Sequence, residues 1–200
     1  MASLPKPRFT PEQYLALERE AETKSEYFDG EIFAMSGASR QHNLISVNVI
    51  AELRAQLKGR PCEVYGSDMR VKVDPTGLYT YPNVVVCGEV RLEDEHLDTL
   101  LNPTVLVEVL SPTTEAYDRG KKFAHYRRLD SLTDYLLIAQ DQPRIEHYAR
   151  QADQKWVLSE ASELCASLPL TSLGCTLALA EVYDRVTFAA DKKPEQEEGS

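Results

Sequence analysis

The hexapeptide Val105–Leu110, VLVEVL, constrains the fold more than any other stretch of the chain. A strand with one wet face alternates apolar and polar residues, whereas a nearly unbroken aliphatic run belongs to a strand buried on both faces. That requires a central sheet with helices packed against it, and so an α/β or α+β domain with a mixed sheet. The single interruption is Glu108. An ionised carboxylate in such a strand carries a desolvation cost of several kcal/mol unless something pairs with it. Glu108 therefore either meets a solvent edge or an Arg, or serves as a metal ligand or catalytic carboxylate on a rigid strand.

The flanking sequence supplies elements to surround that strand. Thr10 and Pro11 mark the start of a helix, PEQYLALEREAET. SEYFDGEIFAMSG reads as a hairpin about Asp29-Gly30, a favoured tight-turn pair. QHNLISVNVIAELRAQLKG sets Leu44, Val47, Ile50 and Leu53 at helical spacing, with Gly59 as the stop. Strands are expected in CEVYGSD, MRVKVD, NVVVC, DYLLIAQ, RIEHYAR and KWVLSE, and a short helix near Leu177–Tyr183. Residues 1–190 read as one domain, and the acidic tail Asp191–Ser200 as disordered.

Composition narrows the function classes. The 200-residue chain is 42% hydrophobic with apolar runs far too short to span a bilayer, and its N-terminus lacks the apolar core of a secretory signal, so a cytoplasmic location is expected. The four cysteines form no C-x-x-C pair, which argues for buried free thiols over a zinc site or disulfides. A net charge of -10 argues against a general nucleic-acid coating protein. RGKKFAHYRR, Arg119 to Arg128, is nonetheless a local basic run without an acidic residue. No phosphate-binding glycine loop, dinucleotide fingerprint or nucleophile elbow is present.

After VLVEVL comes SPTTEAYDRGKKFAHYRRL, an expected amphipathic helix of about four turns. Asp118, Lys122 and Tyr126 stand four apart on one face of it. An i,i+4 Asp–Lys pair is ordinarily a surface ion pair of tenths of a kcal/mol. A strand carboxylate followed by a Lys-bearing helix also suits metal-dependent phosphodiester cleavage.

YPNVVVC, NPTVLVEVLSPTTEAYDRGKKFAHYRRL, DYLLIAQDQPRIEHYAR, SEYFDGEIFAMSGASRQHN and SDMRVKV together resemble the Uma-two family of restriction endonucleases, within the PD-(D/E)XK nuclease superfamily. The resemblance runs over roughly residues 9 to 188. It implies a restriction-endonuclease-like core, Mg²⁺ or Mn²⁺ as cofactor, DNA as substrate, and a homodimer. The motif's Asp falls on Asn83, its metal-binding Glu on Glu108, and its Lys, absent two residues on at Leu110, on Lys122. Glu31 and His42 match further positions near the site. Asn83 and Glu108 are thus the expected metal ligands, and Glu108, Lys122, Asn83, Glu31 and His42 the expected catalytic set. Arg119, Lys121, Tyr126, Arg127 and Arg128 form the expected nucleic-acid surface.

Carboxylates at strand ends hold hard cations that acidify water and clamp phosphate, and a nearby Lys stabilises developing negative charge. Asn83 departs from this pattern, because an amide oxygen can ligate but brings no charge. Three explanations stay open: a descendant that keeps binding and has lost cleavage, a deliberately inactivated variant, or replacement by Asp68 or Asp74. Two other functions compete with the nuclease: a non-catalytic nucleic-acid-binding module, and a self-associating protein using exposed strand edges.

Overall fold

A computed structural model describes residues 8–188; the tail Asp191–Ser200 lies outside the described residues. The chain runs α1 (Pro11–Glu20), β1 (Ser25–Phe28), β2 (Glu31–Ala34), α2 (Arg40–Gln56), β3 (Glu63–Gly66), β4 (Arg70–Val73), β5 (Leu78–Thr80), β6 (Val84–Cys87), β7 (Thr99–Leu100) and β8 (Val105–Val109). A helical segment follows: α3 (Glu115–Tyr117), a π-helical turn at Asp118–Lys122, and α4 (Phe123–Tyr126). The remainder is β9 (Asp134–Ile138), β10 (Ile145–Arg150), β11 (Trp156–Ala161), β12 (Ser167–Leu170), β13 (Cys175–Ala178) and α5 (Leu179–Val182).

Local chemistry accounts for the element boundaries. Thr10 and Gln13 form a capping box ahead of α1, with Pro11 in its first turn. Asp29 (φ 46°) and Gly30 (φ 83°) adopt the left-handed backbone that a two-residue hairpin turn demands, and β1 pairs with β2 across them. Ser39 caps α2 by accepting from the His42 backbone N–H.

Six strands form one mixed sheet in the order β11-β10-β9-β8-β6-β3, with β8 parallel to β9 and antiparallel to β6. Every residue of β8 is buried, as its apolar run requires. The strand's two-residue period separates its faces. Val105, Val107 and Val109 join Ile45, Val49 and Leu53 of α2 and the β12–β13 hairpin in one core. Leu106 and Leu110 face the other way, into a core shared with Tyr126, Leu129 and Tyr135. Val71, Val73, Leu78 and Leu100 enter that second core from a five-stranded sheet, β2-β1-β5-β4-β7. Glu108 shares the parity of Leu106 and Leu110, so it points between the two sheets.

Several elements depart from the expectations above. The helix after β8 is interrupted by the π turn, a bulge that recurs at functional sites. On α2 the buried stripe is Ile45, Val49 and Leu53, while Val47 is 61% exposed. Residues three apart drift around the helix by roughly 60° per step, and residues four apart by about 40°. The four-apart stripe therefore stays on one face. Cys175–Ala178 is a strand paired with Ser167–Leu170, which confines the last helix to Leu179–Val182. The strands Leu78–Thr80 and Thr99–Leu100 are too short to show a period in sequence. The four cysteines are free, but Cys165 is exposed.

Candidate active site

Three carboxylates converge on one ammonium. Lys122 Nζ lies 3.0 Å from Glu108 Oε1, 3.0 Å from Glu26 Oε1 and 3.5 Å from Asp118 Oδ1. Glu108 comes from β8, Glu26 from β1 of the five-stranded sheet, and Asp118 and Lys122 from the two ends of the π turn. All four are buried. The parity that sends Tyr27 into the tyrosine cluster under α1 turns Glu26 to the opposite face, toward Glu108.

The cluster sits at the floor of a cleft of about 870 Å³. His42, Asn83, Asp68, Ser111 and Tyr117 are among the residues around it. Burial pushes the Glu108 carboxyl up to about 7, against the opposing pull of Lys122 and with a further push from Asp118. Burial also raises the Asp118 carboxyl. Desolvation alone would lower the Lys122 ammonium, but Glu108, Glu26 and Asp118 hold it well above the ordinary lysine value. A buried, fully charged lysine is the result, with acceptors on several sides.

The expected site residues divide into those that meet and those that do not. Glu108 and Lys122 are in direct contact. Asn83 stands at the start of β6, where its Oδ1 accepts from the Val109 backbone N–H at 2.7 Å. His42 lies on the cleft wall near Asn83; burial lowers its pKa, opposed by the Asn83 amide, and its Nδ1 is buried without a hydrogen-bond partner. Glu31 sits opposite Phe28 at the end of the hairpin and does not line the cleft. Asp68, paired with Lys24 at 2.9 Å, lies at the cleft, whereas Asp74 is bound to Lys72 and lies away from it.

The basic helix is not the uniform phosphate-contacting surface its sequence suggests. Tyr126 is wholly buried and donates to Glu108 Oε1 at 2.8 Å, so it cannot stack or bond on a nucleic acid. Its place four residues after Lys122 carries it into the core. Arg119 is held by Glu115 at 2.7 Å and by Glu146. Lys121, Arg127 and Arg128 are exposed.

Glu26, Asp118 and Thr80, whose hydroxyl donates to Glu26 Oε1, complete the cluster and are absent from the expected set. Asp118 had a signal, its four-residue spacing from Lys122. Glu26 had none, since nothing in SEYF says which face meets another sheet.

Among the described residues, no three His, Cys, Asp or Glu side chains are arranged to hold a metal ion. The donor chemistry still fits a hard cation: the converging groups are carboxylates, with an amide oxygen close by. Lys122 is the charge that they currently surround.

The architecture superposes on the crystal structure of "a putative nuclease belonging to DUF820" from Anabaena variabilis. The TM-score is 0.73 at 20% identity, covering 90% of this chain and 99% of that one. The fold is the restriction-endonuclease-like mixed α+β architecture shared with that chain. The sequence pattern of the Uma2 family, described as "Putative restriction endonuclease", matches residues 11–180, and the chain belongs to that family. Two proteins of Synechocystis sp. are similar to it: the uncharacterized protein slr1290, 38% identical over 93% of this chain and 97% of its own length, and the uncharacterized protein sll1609, 37% identical over 76% and 86%. Among the described residues no helix is long and apolar enough to cross a membrane.

Proposed function

We propose that the protein is a metal-dependent DNA endonuclease with a single domain, acting in the cytoplasm as a homodimer. The observation that carries this reading is the contact of Glu108 with Lys122 at the floor of a cleft of about 870 Å³. Glu108, Glu26 and Asn83 would hold Mg²⁺ or Mn²⁺, which when bound supplies an acidified water and neutralises phosphate charge. Lys122 offers an ammonium to developing negative charge, and Asp118 orients that ammonium from the same helical turn. The neutral imidazole of His42 is suited to accept a proton at the cleft wall. Lys121, Arg127 and Arg128 contact phosphates outside the cleft.

Asn83 leaves the site one negative charge short, which lowers metal affinity and rate. That missing charge favours a second reading, a nuclease fold that binds DNA without cutting it. Plasmid DNA incubated with Mg²⁺ or Mn²⁺ separates the two. The endonuclease reading expects nicking by the wild type, faster nicking by Asn83→Asp, and none by Glu108→Gln. It is overturned if none of the three proteins nicks DNA.

A further inference from the structure

Two hydroxyls behind the charged cluster bind the same carboxylate oxygens as Lys122. Thr80 on β5 is wholly buried and donates to Glu26 Oε1 at 2.5 Å. Tyr126 on α4 is wholly buried and donates to Glu108 Oε1 at 2.8 Å. The two hydroxyl oxygens lie 3.5 Å apart. Lys122 Nζ touches those same two carboxylate oxygens at 3.0 Å each, which closes a ring through Lys122, Glu26, Thr80, Tyr126 and Glu108. Each hydroxyl has one proton, and both protons are committed to carboxylates. The contact between the hydroxyls is therefore packing, and each carboxylate oxygen is held by two donors, an ammonium and a hydroxyl.

We propose that Thr80 and Tyr126 are positioning residues, whose hydroxyls hold Glu26 and Glu108 in the one arrangement that serves the active site. Packing alone does not call for either hydroxyl. Valine matches threonine in size without burying a hydroxyl, and phenylalanine would keep the edge-on contact of residue 126 with the Tyr135 ring. The ring also joins three separate elements, β1 and β5 of one sheet and β8 of the other, through the helical segment. Loss of one hydroxyl frees one carboxylate to rotate, and Lys122 follows. The catalytic consequence rests on the nuclease reading above; the geometric claim does not.

The test compares Thr80→Val, Thr80→Ser and Tyr126→Phe with the wild type. It uses the ¹⁵N-detected ammonium signal of Lys122 in metal-free protein, Mn²⁺ affinity by electron paramagnetic resonance, and plasmid nicking. Removing a hydroxyl that orients a ligand typically weakens metal binding or activity by roughly 10- to 100-fold. Thr80→Val and Tyr126→Phe are expected to lose the slowly exchanging ammonium signal and to fall in that range. Thr80→Ser, smaller but still hydroxylated, is expected to keep the signal and lose less than Thr80→Val. The reverse order, Thr80→Val silent and Thr80→Ser impaired, means packing and overturns the proposal. If the ammonium signal follows the hydroxyl but the wild type neither binds Mn²⁺ nor nicks DNA, positioning stands and the nuclease reading falls. If the wild type nicks DNA and Thr80→Val does so equally with its ammonium signal intact, the nuclease reading stands and positioning falls.

Discussion

Lys122 Nζ stands 3.0 Å from Glu26 Oε1, so one charge ties the helical segment after β8 to a strand of the opposite sheet. The same ammonium also faces Glu108 Oε1 at 3.0 Å and Asp118 Oδ1 at 3.5 Å. Lys122→Met would leave three buried carboxylates facing one another. Breaking a buried ion cluster by removing one partner costs about 3–5 kcal/mol. A urea titration of the variant at neutral pH is expected to show a loss of that size, smaller in mild acid where the carboxyls take up protons. A loss under about 1 kcal/mol would be that of a surface pair and would contradict the burial of the cluster.

The Glu108 carboxyl sits at about 7, above its ordinary 4.5. A carboxyl raised on folding binds its proton more tightly in the native state than in the unfolded chain. Its contribution to stability is therefore fully present below 4.5 and lost as the pH rises through about 7. Asp118, raised for the same reason, acts in the same direction. Urea midpoints of the wild type and Glu108→Gln, compared from acid to neutral pH, isolate the Glu108 share. The wild type is expected to lose stability relative to the variant across that window, and parallel curves would refute the assignment.

Asn83 Oδ1 accepts from the Val109 N–H, an acceptor role that an aspartate would fill equally well. Asn83→Asp is expected to keep that bond, add a charge to the cleft, and bind Mn²⁺ at least roughly tenfold more tightly. Asn83→Ala strands the Val109 N–H and costs about 1–3 kcal/mol. Calorimetric Mn²⁺ titration and thermal unfolding check the two halves independently.

The exposed Lys121, Arg127 and Arg128 differ from Arg119, which Glu115 and Glu146 hold. Replacing the three exposed residues with alanine removes three potential phosphate contacts, each worth about 0.9 in the slope of log affinity against log salt. A flattening of roughly 2–3 in that slope is expected in Ca²⁺, where binding is read without cleavage. Arg119→Ala is expected to lower stability and leave the slope nearly as it was. Equal slopes for wild type and triple variant would remove this face from DNA contact.

The fold was legible where the local pattern had one physical outcome. VLVEVL reads as a central strand, Asp29-Gly30 as a tight turn and Thr10-Pro11 as a helix start, and each is found there. The helix phase of α2 was misread because a three-residue spacing drifts off the face that a four-residue spacing keeps. The resemblance grouped Glu108 with Lys122, and the two side chains lie 3.0 Å apart. The basic run from Arg119 to Arg128 suggested a nucleic-acid surface that took in Tyr126, although its spacing from Lys122 already placed Tyr126 on the inward face.

By itself, then, the sequence determined the doubly buried strand, the carboxylate within it and the lysine on the helical segment beyond it, because strand burial and helix phase follow from neighbours in the chain. Only the tertiary structure decided that Glu26 and Thr80 reach that carboxylate. They lie on strands of another sheet, more than twenty residues from Glu108 along the chain. Which face of those strands meets Glu108 is set by how the two sheets pack, a relation that no local period encodes.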